Sequence, residues 1–327
     1  MVFVIGACFG SFFNVCIYRV PRRLSLISPP SHCYQCGEPL KWRDNVPLLS
    51  YWIRRGRCRY CGAAFTMRYF AVELLTASLF AGVFVRYCEP LEGCSWVILP
   101  GWVLVSLLII STFTDLDHWI IPDRTSLGGA LAGLTLAAIP PIGSAAGNPL
   151  NRPLPALELP AAALPPLNAL AGGLFGFGLL WLVGAAGTLI FRKEAMGRGD
   201  MKLMAMMGTF IGPLHCVFAL MIASVLGSLI GSAQLLWDRL TPPPSARPAV
   251  AGLQPDPSRL ERLLQARELG REERLALMRA LSSPGPMGPV RHHLPFGPSL
   301  AAAGVIVYMY WEPIRRWLSM VVLGPYG

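Results

Sequence analysis

Eight apolar runs divide this chain, at roughly 1–17, 69–88, 96–115, 124–141, 166–191, 200–213, 214–237 and 296–312. Most are close to 20 residues long, the length at which an α-helix crosses the hydrocarbon core of a bilayer. Over 327 residues only 14% are charged and 54% are hydrophobic. A soluble domain carries about 25% charged residues. The prediction is an all-α fold: a polytopic membrane bundle of about eight transmembrane helices. The first run lacks a basic start and a small-residue cleavage site, so it reads as a first span rather than a removable signal peptide. The run at 200–213 is short for a span, and Gly197 and Gly199 before it allow tilting or unwinding.

The net charge of +10 gathers in a few loops and therefore reports topology. The loop at 18–68 carries Arg19, Arg22, Arg23, Lys41, Arg43, Arg54, Arg55, Arg57, Arg59 and Arg68 against Glu38 and Asp44. It is expected in the cytoplasm, with the N-terminus outside. Counting onward puts Asp115–Asp123 and Arg192–Asp200 on the same cytoplasmic side, and the Pro- and Ala-rich stretch 140–165 outside. Arg315 and Arg316 run against the rule. No basic segment is interleaved with aromatics as in a single-strand binder, so nucleic acid is not an expected partner. The lipid bilayer is.

Five regions follow: a first span at 1–17, a cytoplasmic loop at 18–68, a membrane core at 69–237, a cytoplasmic insert at 238–294, and a last span and tail at 295–327. Within the insert, Leu260, Leu263, Leu264, Leu275, Leu277 and Leu281 recur near helical period among Arg and Glu. That pattern fits a basic amphipathic helix on a membrane face or partner, or a solvated linker with partial helicity.

The loop at 18–68 holds Cys33-Tyr-Gln-Cys36 and Cys58-Arg-Tyr-Cys61. Two such turns aim four thiolates at one point, the donor set of a structural zinc site with no open position. Gly37 and Gly62 follow each pair, where the turn calls for positive φ. A reducing compartment favours metal over disulfide. Cys8, Cys16 and Cys216 read as buried small hydrophobes. Cys88 and Cys94 flank an outside loop, where a disulfide is weakly indicated.

Asp115 closes the run 101–114 and opens Asp115-Leu-Asp-His-Trp-Ile-Ile-Pro-Asp123. Asp200 ends Gly197-Arg-Gly-Asp200, ahead of another apolar run. A carboxylate at membrane depth is costly and points to function. Two at one boundary suggest a pair that shares a proton, as in aspartic proteolysis. Taken singly, Asp115, Asp117 and Asp123 also fit helix termination at the interface, with Asp123 capping the next helix. Lys202 reads as a salt partner or a snorkelling side chain.

Gly10-Ser-Phe-Phe-Asn-Val-Cys-Ile-Tyr-Arg-Val-Pro21, the four-cysteine loop, Val72-Glu-Leu-Leu-Thr-Ala77, Asp115 through Asp123, Gly197–Lys202 and Pro295-Phe-Gly-Pro298 resemble the type IV prepilin peptidases, in the family's order and over nearly the whole chain. The resemblance implies an eight-span inner-membrane aspartic peptidase of the Gly-x-Gly-Asp class. It implies cleavage of the basic leader of type IV prepilins and type II secretion pseudopilins at the cytoplasmic face. It implies methylation of the new N-terminal residue from S-adenosyl-L-methionine. The family's catalytic pair maps onto Asp115 and Asp200. No Gly-x-Gly-x-x-Gly loop follows a strand, so a donor site must be built from loops and span ends, with Ser11, Asn14, Arg19 and the zinc loop as local candidates. Small-residue helix packing is the alternative for Gly10 and Ser11. Rival readings are a peptidase-only Gly-x-Gly-Asp protease without methyltransferase activity, and a zinc-anchored transporter or scaffold with the aspartates as a proton relay.

Overall fold

A computed structural model describes residues 1–28, 30–33, 36, 38–89, 93–143, 148, 150, 160, 163–193, 196–240 and 296–323. The helices are α1 (Val2–Arg19), α2 (Leu49–Ile53), α3 (Arg68–Tyr87), α4 (Ile98–His118), α5 (Asp123–Ala138), α6 (Pro140–Gly143), α7 (Leu164–Phe191), α8 (Arg198–Ile211), α9 (Pro213–Leu240) and α10 (Gly297–Leu323). A short 3₁₀ turn occupies Trp42–Asp44. Extended pairing among the described residues is confined to the hairpin β1 (Cys88–Glu89) with β2 (Gly93–Cys94) and two isolated bridges. The predicted all-helical architecture is therefore present. The insert at 238–294 and its leucine pattern lie almost wholly outside the described residues, as do Gly37 and Pro295.

Five helices are long and apolar enough to cross a membrane: α1, α3, α4, α7 and residues Pro213–Trp237 of α9. The other three of the eight expected runs are helical, but their dimensions differ. α5 has 16 residues and α8 has 14. At about 1.5 Å per residue these reach about 24 and 21 Å, short of a hydrocarbon core of about 30 Å. α10 breaks at Tyr310, whose φ of −118° is non-helical, and holds Pro313 within it. The ring of Pro313 removes an N–H and crowds the preceding turn.

One continuous core joins the helices, with Leu104 and Leu108 of α4 packed among Leu203, Met204, Met206 and Met207 of α8 and Leu300 and Val307 of α10. α7 and α8 make the closest approach. A Cβ on Gly172 would overlap the Gly208 carbonyl oxygen, and one on Gly208 would overlap that of Gly172. Small residues let helix backbones touch where lipid offers no hydrophobic drive to associate. Cys88 and Cys94 form a disulfide across the hairpin β1–β2.

Candidate active site

α4 and α8 each bring one carboxylate to the same end of the bundle. α4 ends because Trp119 adopts the left-handed conformation, φ 57°, and its N–H closes on the Asp115 carbonyl at 2.8 Å. The chain then restarts as α5 after Pro122, whose extended backbone cannot continue a helix. Between them Ile121 turns inward and is buried at 7% exposure. α8 begins after Gly197, also extended at ψ 142°, which leaves Asp200 in the first helical turn. Acidic groups are favoured there by the positive end of the helix dipole.

Ile121 packs between two glycines of this site. A Cβ on Gly199 would sit 3.3 Å from the Ile121 Cβ, so α8 abuts it closely on one side. A Cβ on Gly297 would sit 3.5 Å from the Ile121 Cδ1 and 2.5 Å from Asp115 Oδ2. The start of α10 thus presses on Asp115, which is 7% exposed. Asp200 lies close enough to Asp115 for the two carboxyls to interact electrostatically. Two carboxyls that feel each other in a shielded place do not both ionise cheaply, so the pair favours a single shared proton.

The neighbouring acidic residues have other occupations. Asp117 accepts from Arg68 Nη1, at 2.6 Å to Oδ1 and 2.5 Å to Oδ2. Asp123 pairs with Lys202 Nζ at 2.5 Å. The expected capping by Asp123 is absent: it stands inside the helix, no side chain caps α5, and Pro122 is the N-cap residue. Thr125 instead donates its hydroxyl back to the Pro122 carbonyl at 2.8 Å. Arg22 reaches His118 Nε2 at 3.2 Å. Asp115 and Asp200 are drawn together with Ile121 and Gly297, whereas Asp117 and Asp123 are turned to cations. Gly297 and Ile121 gained no role from the sequence. The glycine between Phe296 and Pro298 was the available signal, since a glycine at a helix start permits a close neighbour.

Gly297→Ala is expected to push the Asp115 carboxylate aside. A displacement of the order of 1 Å costs roughly 100-fold in rate. Rate measurements on the variant in membranes, with insertion checked, decide this. Wild-type rates would mean that α10 does not position Asp115.

The four loop cysteines also converge. All four Sγ atoms lie within 4.8 Å of one another, with Cys33–Cys61 at 3.8 Å and Cys36–Cys58 at 4.0 Å. A tetrahedron with metal–sulfur bonds of about 2.3 Å has edges of about 3.8 Å, so the set fits zinc. Each knuckle is closed by its own bridge, His32 with Pro39 and Arg57 with Ala64. Gly62 has φ +72°, as the turn demands. Burial pushes the Cys58 thiol up, but backbone N–H groups of Cys61 and Tyr60 and the adjoining thiols outweigh it and lower it to about 7. A thiolate is the form that binds metal.

The polar residues of α1 are engaged in holding α3. A Cβ on Gly10 would lie 2.7 Å from the Glu73 Cα, so glycine there is required by packing. Asn14 donates to the Tyr69 carbonyl at 3.1 Å, and Ser11 is hydrogen-bonded to the Glu73 side chain. Arg19 donates to the Ser25 carbonyl at 2.9 Å. Beside this seam, between α1 and the loop, a cleft of about 370 Å³ is lined by Ser11, Phe12, Arg19 and Asn45 among others.

Residues 4–87 match the family model described as Bacterial Peptidase A24 N-terminal domain, and residues 102–232 match that of the Type IV leader peptidase family. The prepilin leader peptidase/N-methyltransferase of Myxococcus xanthus is 35% identical, over 98% of this chain and 91% of its own length. The protein of the same name from Klebsiella pneumoniae is 36% identical, over 64% of this chain and 84% of its own. That of Bacillus subtilis is 26% identical, over 99% of both. No solved structure matches the chain.

Proposed function

We propose, for a chain that belongs to the type IV leader peptidase family, that it cleaves the leader from prepilins and N-methylates the residue so exposed. The observation that carries the peptidase reading is that α4 and α8 bring Asp115 and Asp200 within electrostatic reach of each other, with Gly297 closing against Asp115. One carboxyl of the pair is ionised and takes a proton from water. That water attacks the scissile carbonyl carbon. The other carboxyl donates its proton to the carbonyl oxygen, and the tetrahedral intermediate then collapses with proton return to the leaving amine. No acyl-enzyme forms. Arg68 and Lys202, by holding Asp117 and Asp123, keep two further carboxylates from competing for the shared proton.

The substrates proposed are the basic leaders of type IV prepilins and type II secretion pseudopilins, met at the cytoplasmic face of a bacterial inner membrane. The basic loop at 18–68 supports that orientation, since cytoplasmic loops collect Lys and Arg. Eight membrane-embedded helices are proposed, with the shorter α5 and α8 and the interrupted α10 completing the five full-length spans. The regions proposed are a first span at 1–17, a cytoplasmic loop at 18–68, a membrane core at 69–237, a cytoplasmic insert at 238–294 and a last span and tail at 295–327.

Two groups accompany this reading. Cys33, Cys36, Cys58 and Cys61 would hold zinc, and four thiolates leave no open position, so its part is structural. S-adenosyl-L-methionine supplies the methyl group when bound. The cleft beside α1 fits such a donor in chemistry: the Arg19 guanidinium suits a carboxylate, the Ser11 and Asn45 side chains suit hydroxyls, and the Phe12 ring suits a flat base.

A mass measurement on the mature pilin terminus tests the double activity. The expected product carries one added methyl group. Complete cleavage with an unmodified amine would leave a peptidase alone.

A further inference from the structure

We infer that α2, within the cysteine loop, is an interfacial anchor that lies in the headgroup layer of anionic lipid beside the end of α3. Its outer face is apolar and uncovered: Leu49 is 56% exposed, Trp52 61% and Ile53 71%. A five-residue helix that exposes three large hydrophobic side chains has no reason to do so in water. Its place in the fold names what covers it.

The start of α2 is fixed to a span. Leu48 adopts the left-handed conformation, φ 63°, and its N–H donates to Glu73 Oε2 at 2.7 Å. Glu73 stands five residues into α3, whose first residue is Arg68. At about 1.5 Å per residue this is roughly 7 Å along the helix axis from its end. Interfacial helices sit at a depth of about 5–10 Å, at the boundary of headgroups and acyl chains. The far end of α2 is tied to the same span end, because the Trp52 ring meets Phe70 edge-on at 5.5 Å and Tyr51 meets it at 5.7 Å.

Leu74 and Leu75, the two residues after the Glu73 that holds α2, are also exposed large hydrophobics. Arg55 and Arg57 follow α2 directly and are exposed. Their charge complements anionic headgroups, while Trp52 has the amphipathic ring favoured at that level. The anchor would hold the cysteine knuckles against the membrane whichever reaction the chain performs.

Collisional quenching in the full-length protein decides it. The protein and its Trp52→Phe variant are reconstituted in bilayers of phosphatidylglycerol and phosphatidylcholine, and retained metal content confirms that the loop stays folded. The difference in emission isolates Trp52. Bromine placed shallow on the acyl chains is expected to remove most of that difference signal, and aqueous acrylamide to remove little. The reverse order would overturn the anchor and mean that water or a protein partner covers α2. Equal lipid quenching in bilayers of phosphatidylcholine alone would overturn the preference for anionic lipid.

Discussion

Asp115→Asn and Asp200→Asn, made separately, are each expected to lower cleavage of a prepilin in membranes by roughly 1,000-fold or more, since each removes one partner of the general acid–base pair. The amide keeps the shape of the side chain but can neither take up a proton from water nor pass one on. Core packing should survive, because the helices that carry the pair are held by apolar residues such as Leu104, Leu108, Leu203 and Met204 rather than by the carboxylates. Insertion and thermal stability should therefore match the parent protein. Full activity in either variant would refute the pair. The wild-type pH profile should be bell-shaped. Activity falls on the acid side as the ionised carboxyl gains a proton, and on the basic side as the shared proton leaves.

Cys58→Ser is expected to act on folding before it acts on chemistry. Structural zinc sites bind with an apparent free energy of about 10 kcal/mol or more, and that energy is coupled to the folding of the loop. Loss of one thiolate opens the tetrahedron formed with Cys33, Cys36 and Cys61. Zinc, if held there as proposed, should be lost and the loop should become sensitive to protease, while the spans stay inserted. Residual peptidase activity in the surviving folded fraction should be near normal, because the knuckles supply no ligand to Asp115 or Asp200. A zinc-depleted protein that was equally stable and equally active would remove the metal from the structure's support.

Much of the architecture was legible because burial in lipid constrains composition strongly. The apolar runs became helices, and the Cys-x-x-Cys pairs converged as their spacing required. Length was read less well. Composition alone does not say where a helix stops: α5 and α8 fall short of a full span, and α10 is interrupted at Tyr310. The site was legible in part. Asp115 and Asp200, the proposed pair, stand out by the cost of a carboxylate in apolar surroundings. Asp117, Asp123, Arg68 and Lys202 showed nothing in the sequence of who would pair with whom, since those partners lie 49 and 79 residues apart.

The sequence by itself determined the helical class, the four-thiol cluster and the two carboxylates at the edges of apolar segments, because each follows from local composition and short spacing. The tertiary structure alone decided that Ile121 packs between Gly199 of α8 and Gly297 of α10, that a side chain at Gly297 would displace the Asp115 carboxylate, and that Glu73 fastens α2 to α3. Those are contacts between segments far apart in the chain, set by how helices pack, and no local pattern of residue types encodes them.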